Sequence, residues 1–367
     1  MTMTTLAADE RAALREAVQK LLADRSSEAD VRRTMETESG YDADLWRQLA
    51  EMGITGLIID PEFGGAGAGP LELEAVMEEA GAALLCGPLL SSAVFAAGLL
   101  DASGDADAKA RLLPGIASGE CIATVAVTGG ERASWTAEDV AVTANGDQLS
   151  GVSDYVMHAN LANVMLVVAK TSDGLGVFEV DPKAAGVKIT VQKTLDLTQR
   201  LAKVEFTNTA ARRLVNTNWD AVETALNLTR IALAGEQAGA AERIFNITVE
   251  YINSRIQFGR PIGGFQAIKH MAADLLIEKE SAISAARAAA QALADDATDK
   301  DAAISLAAFA CADSFHKIAF DSIQMHGGIA YTWVCPAHLY LRRARADQQL
   351  FGNSNFYRER YVAQLGG

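Results

Sequence analysis

A chain of 367 residues with 32 basic against 47 acidic side chains carries a formal net charge of −15, the wrong long-range field for nucleic-acid backbones or anionic membrane surfaces. Half of the residues are hydrophobic but only 6% aromatic, and long alanine-rich runs favour a largely helical protein of two or three domains. The four scattered cysteines (Cys86, Cys121, Cys311, Cys335) have no C-x-x-C spacing, which excludes an obvious zinc site. The opening MTMTTLAADERAALREAV lacks a basic region ahead of an apolar core, and no apolar run is read as long enough to span a bilayer. The expectation is a reduced cytoplasmic protein with no metal and no membrane association.

Residues 1–119 read as an N-terminal helical domain. Leu6, Ala13, Leu14, Val18, Leu21 and Leu22 recur at helical spacing, and a second helix over Asp44–Met52 stops at Gly53. PEFGGAGAGP, with its four glycines and two prolines, is a loop. Helical pattern resumes over Leu71–Ala82, Leu89–Leu100 and Ala106–Ala117. From residue 120 to 214 the period becomes strand-like. CIATVAVT, DVAVTANG, VMLVVAK, LGVFEVD and AKVEFTN are β-branched runs separated by Gly, Asn and Asp turns, and predict a middle antiparallel β domain. Residues 215–367 return to helices, over Asp220–Ser254, Phe265–Leu293 and Lys300–Met325, followed by two shorter ones; short connections imply a four-helix-type bundle.

The stretch Tyr251–His270, YINSRIQFGRPIGGFQAIKH, joins two of those helices. Gly259, Pro261, Gly263 and Gly264 force a turn there. It carries Arg255, Phe258, Arg260 and Gln266. Guanidinium groups suit paired phosphate oxygens, and an aromatic face suits a flat heterocycle. The plainer alternative is a helix hairpin with solvated arginines.

The order of domains, with RIQFGRPIGGFQAIKH, QMHGGIAYTW, PEFGGAGAG and the DLTQR/AKVEF pair, resembles the acyl-CoA dehydrogenase family across essentially the whole chain. Within that family it is similar to the shorter, non-catalytic subunit type of bacterial heteromeric enzymes. The resemblance implies FAD-dependent α,β-desaturation of an acyl-CoA thioester, with an electron-transfer flavoprotein as electron acceptor. It also implies roles for individual residues. Arg255, Phe258, Gln266, Gln324, Gly327 and Gly328 match the turns that reach across a subunit interface to the FAD of a neighbour. The match decays where the chain should hold its own flavin. In VTGGERASW only Thr128 survives of the family's Thr-Glu-Pro segment, with Gly129–Gly130 in place of Glu-Pro. Tyr155–Val156–Met157–His158 stands where the family has Trp-Ile-Thr-Asn.

The family's catalytic base is missing from both its usual positions, which hold Phe351 and Thr229. Glu236 shares a helix face with Thr229 two turns on and is the candidate base, its pKa raised by burial. The alternative is a buried Glu paired with an arginine of the bundle or of a neighbouring subunit, and this is the preferred reading of the two. His326 beside the glycine pair either touches cofactor or caps its helix. Asp196 and Arg200 are expected to order a loop of the β domain.

These readings leave three functions open. The first is one subunit of a heterotetramer, completing an FAD site held mainly by a homologous catalytic partner. The resemblance implies a place in fatty-acid or steroid side-chain β-oxidation; pairs of this type within the family are found in bacterial breakdown of steroid side-chain CoA thioesters, which makes a bulky acyl-CoA the better expectation. The second is a self-sufficient homomeric acyl-CoA dehydrogenase with a displaced base. The third is a non-catalytic acyl-CoA-binding or scaffold subunit.

Overall fold

The computed structural model describes residues 5–129 and 134–366. Helices α1 (Ala8–Arg25), α2 (Glu28–Met35), α3 (Ala43–Glu51), α4 (Pro70–Ala82), α5 (Ala97–Ala102) and α6 (Ala106–Ala117) come first. Strands β1 (Ala123–Ala126), β2 (Thr143–Asn145), β3 (Gln148–Met157), β4 (Val164–Thr171), β5 (Gly174–Val180), β6 (Val187–Val191), β7 (Leu201–Ala210) and β8 (Arg212–Arg213) follow. The remainder is α7 (Trp219–Ser254), a ribbon of β9 (Ile256–Gln257) and β10 (Arg260–Pro261), α8 (Gln266–Ala294), α9 (Lys300–His326), α10 (Ala337–Asp347) and α11 (Ser354–Gln364). The order helical, β, helical is the one the sequence predicts.

The chain divides into two compact units. The first is built chiefly from Arg32–Leu73 and Cys86–Arg230, the second from Ala7–Val31, Glu74–Leu85 and Ile231–Gly367.

In the first unit the sheet runs β6-β7-β3-β2-β4-β5-β8, with β1 also on β4. It is mixed rather than purely antiparallel, because β4 pairs parallel with both β1 and β2. Strand β4 explains this. Six of its residues from Val164 are buried in an unbroken run, as in a strand covered on both faces, and such a strand accepts parallel neighbours. Strand β7 instead alternates, with Ala202, Val204 and Phe206 turned into a core shared with Leu149, Met165 and Phe178. Strands β3 and β6 were not legible in the sequence. Two register shifts interrupt β3 against β7, so its polar and apolar residues never settle into one period. The helix expected over Leu89–Leu100 is a π-helix from Leu89 to Ala96 running into α5, every residue of the π segment being buried. Asp196 and Arg200 do order a loop. Asp196 Oδ1 accepts from Thr198 N at 2.9 Å, and Arg200 donates to the carbonyls of Leu197, Met35 and Thr37 at 2.7–2.8 Å.

In the second unit α9 is the central helix, burying Ile304, Cys311, Phe315 and Ile318. Burial of each large apolar side chain stabilises by about 1.5–3 kcal/mol. By length and composition alone the stretch Lys300–Tyr331 is apolar enough to cross a membrane, but half of its apolar window is buried inside the protein, as a core helix of a bundle would be. Residues 74–82 of α4 cross α7 at three glycines. A Cβ on Gly81 would lie 1.9 Å from Glu236 O, and one on Gly239 would lie 1.8 Å from Glu78 O. Only glycine allows backbones so close.

The same part of α4 buries three acids, Glu74, Glu78 and Glu79. Arg15 from α1 contacts Glu78 Oε2 at 2.5 Å and Glu79 Oε1 at 2.6 Å. Arg287 from α8 forks onto both Glu78 oxygens at 3.0 Å. Among the described residues Glu74 gains no such direct cation contact, and its Oε1 has no hydrogen-bond partner. Burial, reinforced by the neighbouring Glu78 charge, pushes the Glu74 carboxyl up to about 9, so it keeps its proton at neutral pH.

Candidate functional site

The turn after α7 is a tight hairpin. Phe258 and Gly259 have φ of +52° and +78°, the pairing a two-residue hairpin loop requires. Phenylalanine in that conformation is unusual, and the tip leaves its ring 92% exposed. Its inner neighbour Phe265 meets it edge-on, centroids 6.2 Å apart, and carries the Arg260 guanidinium 4.0 Å above its own ring. Arg260 is thereby drawn onto Phe265, while Arg255 stays exposed at the foot of the ribbon.

Below the ribbon, still within the second unit, lies a hollow of about 390 Å³. It is lined by Tyr251, Arg255, Gln257 and Ile262 on one side and by Met325, His326, Gly327, Gly328 and Ile329 on the other. A Cβ on Gly327 or Gly328 would meet nothing within 4 Å among the described residues, so the bare backbone is open to close approach. Tyr251 stacks on His326, centroids 4.4 Å apart and planes at 19°, and its hydroxyl donates to His326 O at 3.2 Å.

Of the predicted site residues the hollow brings together Arg255, Gly327 and Gly328. Phe258, Gln266 and Gln324 are exposed and do not line it. Tyr251, Gln257 and Ile262 do line it although the sequence reading gave them no role. Tyr251 precedes Arg255 by four residues, one helical turn, and that spacing was the available signal.

Thr128 belongs to the first unit. Its backbone carbonyl accepts from Ser153 Oγ and Asp154 N, each at 2.8 Å, while its fully buried hydroxyl has no hydrogen-bond partner among the described residues. Gly129 follows it, and Gly130 lies outside the described residues. In the Tyr155–His158 segment, Tyr155 has φ +58° and is partly exposed. His158 turns inward, with Nδ1 3.2 Å from Ser91 Oγ.

Thr229 is fully buried and donates back to its own helix, Oγ1 to Ala225 O at 2.7 Å. Next to it Arg230 Nη1 donates to Glu223 and Asn227 at 2.6 and 2.7 Å. In the second unit Phe351 is buried with φ +60°, its carbonyl accepting from the Tyr357 hydroxyl. Glu236, likewise in the second unit, meets Arg343 of α10, Oε1 to Nη1 at 2.5 Å, with both side chains buried. Arg343 Nη2 also donates to Leu85 O at 3.2 Å. The ion pair is therefore present, and it joins residues 107 apart in sequence.

Residues 8–120 match the family model for the acyl-CoA dehydrogenase N-terminal domain, and residues 216–366 match that for the C-terminal domain. The chain is 36% identical over 346 residues to the acyl-CoA dehydrogenase IpdE2 of Mycobacterium tuberculosis, covering 93% of each. The chain belongs to the acyl-CoA dehydrogenase family. Two solved structures are similar to it over 98% of each chain with a TM-score of 0.89. One is the ChsE4-ChsE5 complex of Mycobacterium tuberculosis at 28% identity, the other a variant of the Tcur3481-Tcur3483 steroid ACAD at 29%.

Acyl-CoA dehydrogenases bind FAD, and the hollow's chemistry fits the diphosphate of that cofactor: an exposed guanidinium beside backbone with no side chain to block approach. The hydroxyl of Thr128, in the other unit, is a second buried polar group without a hydrogen-bond partner among the described residues. Neither Thr229 nor Phe351 can accept a proton from carbon at neutral pH.

Proposed function

We propose that this acyl-CoA dehydrogenase-family chain is one subunit of a cytoplasmic heteromer, in which it completes an FAD site held mainly by a homologous catalytic partner. The observation that carries this reading is an asymmetry within the chain. A hollow suited to a diphosphate is built and open, whereas neither usual base position holds a carboxylate and Glu236 is engaged by Arg343. Arg255 would grip the diphosphate, with the Gly327–Gly328 backbone admitting it closely; Phe258, Gln266 and Gln324 stand exposed around the same end of the bundle. Bound flavin supplies the hydride acceptor for α,β-desaturation of an acyl-CoA, and the partner supplies the base that removes the α-proton. The similarity to a two-protein complex and to a steroid ACAD supports the heteromer, a heterotetramer of paired subunits, and a bulky acyl group. An electron-transfer flavoprotein is the proposed electron acceptor.

The test is to purify the chain alone and together with co-encoded homologues, then measure flavin per chain and acyl-CoA dehydrogenation. The expected result is little flavin and no turnover for the chain alone, with both appearing in the complex. Full flavin occupancy and turnover by the isolated chain would overturn the proposal in favour of a self-sufficient homomer. A complex that never bleaches flavin with any acyl-CoA would point instead to a scaffold.

A further inference from the structure

A second cavity, of about 440 Å³, lies within the second unit and shares no lining residue with the hollow. Its walls come from α1, the junction of α1 with α2, the end of α4, the middle of α7 and the start of α10. The chain leaves room there because two helices stop at it. Helix α1 ends at Arg25, and Ser26 Oγ donates across to Ala83 O at 3.3 Å. Helix α4 ends at Ala82, and Leu84, with φ +47°, turns the backbone out of the helix. Leu22, Val31, Leu84 and Leu339 form an apolar floor, each no more than 3% exposed.

The polar groups inside this cavity already have partners. Besides Ser26, the Tyr340 hydroxyl donates to Ala82 O at 2.7 Å and accepts from the Arg243 guanidinium. Burial pushes that phenol up to about 12, so it stays neutral. Glu79 is taken by Arg15 at 2.6 Å. Glu28 and Arg243 remain, exposed at the mouth, one charge of each sign. Charge balance decides what such a space accepts. A carboxylate or an ammonium would give up its water without meeting an opposite charge that is not already matched. Water gains little there as well, since a buried water needs about two to four polar partners. A mainly apolar cavity of this size with few polar groups is the usual form of a small-molecule site. We propose that it binds a neutral apolar molecule, an aliphatic alcohol or ketone in chemical class, whose hydroxyl or carbonyl meets the exposed Gln19 amide at the mouth. This site is separate from the diphosphate hollow and does not depend on it.

Three probes of one chain length test this: octanol, octanoate and octylamine, titrated into the full chain with labelled isoleucine methyl groups and followed by NMR. Ile247 lines the cavity and reports on it directly. Its methyl resonance should shift with octanol, and either ion should bind about tenfold more weakly. Octanoate or octylamine binding as tightly as octanol would overturn the neutral class. No shift at Ile247 with any probe would overturn the site. Ala23, exposed on α1 at the mouth, supplies a plug. Ala23→Trp should melt like the wild type and no longer show the octanol shift at Ile247. An unchanged shift in that variant would mean that octanol does not enter by this mouth, which also counts against the proposal. The wild-type titration stands whether or not the variant folds.

Discussion

Glu236 and Arg343 form a buried ion pair, Oε1 to Nη1 at 2.5 Å, that ties α7 to α10 and reaches on to Leu85 O. Two charges withdrawn from water gain little net stability as a pair, but either one left alone is costly. Arg343→Met should therefore destabilise by about 3–5 kcal/mol, because it strands a carboxylate beside the α4 backbone. Adding Glu236→Leu should recover most of that loss. Urea denaturation of the two single variants and the double variant checks this as a cycle; additive losses would mean that the pair is not a coupled unit.

The same pair bears on catalysis. A carboxylate held by a buried guanidinium is an electrostatic strut, and Glu236→Gln should leave turnover of the assembled complex within about twofold, as expected of a residue that binds no transition state. Loss of turnover with flavin retained would instead make Glu236 the base of a self-sufficient enzyme. Flavin content and initial rate measured on one preparation decide between these.

Glu74 gives a pH-dependent prediction. Its carboxyl keeps a proton in the folded protein up to about pH 9, whereas in the unfolded chain it ionises near 4.5. Between those values the unfolded state holds fewer protons, so the contribution of this group to stability is full below pH 4.5 and falls as pH rises towards 9. The slope from one such group is at most about 1.4 kcal/mol per pH unit. Glu74→Gln keeps a donor towards Glu78 and removes the titration. It should be more stable than the wild type at pH 8 and nearly equal to it at pH 4.5. Thermal melts of both proteins across that range would count against the assignment if the two curves ran parallel.

Much of the architecture was legible because helical and strand periods differ so plainly between segments. The long helices α7, α8 and α9 could be bounded within a residue or two, since Gly and Pro mark the α7–α8 turn and the end of α9, and short polar runs mark the other ends. What escaped was short or irregular. Helix α2 has only eight residues, four of them charged (Glu28, Asp30, Arg32, Arg33), with too short an apolar face to register as a period. Strand β3 is broken by its register shifts. The parallel pairing of β4 depends on what covers it, which no local pattern records. At the site, Arg255 stood out by its residue type in a glycine-rich turn, whereas Gly327 and Gly328 read as a helix stop and gained a site role only through the family resemblance. Arg343 as the partner of Glu236 was not, because a contact between residues 107 apart is set by how α7 and α10 pack. The acids of α4 were hidden for the same reason, their cations coming from α1 and α8.

Two glycines of the second unit should respond to alanine in opposite ways. At Gly239 a Cβ would sit 1.8 Å from Glu78 O, so α4 and α7 would have to part where their backbones touch. Overpacking of this kind typically costs about 1–3 kcal/mol, and the denaturation midpoint of Gly239→Ala should fall accordingly. At Gly328 a Cβ meets no atom of the described residues within 4 Å. Gly328→Ala should therefore melt like the wild type while its added methyl projects into the space a diphosphate would enter. The measured loss should appear in flavin retained by the complex, or in ADP affinity of the chain. If Gly328→Ala unfolds the protein, the turn is structural; if it binds as tightly as the wild type, no ligand passes close to that backbone.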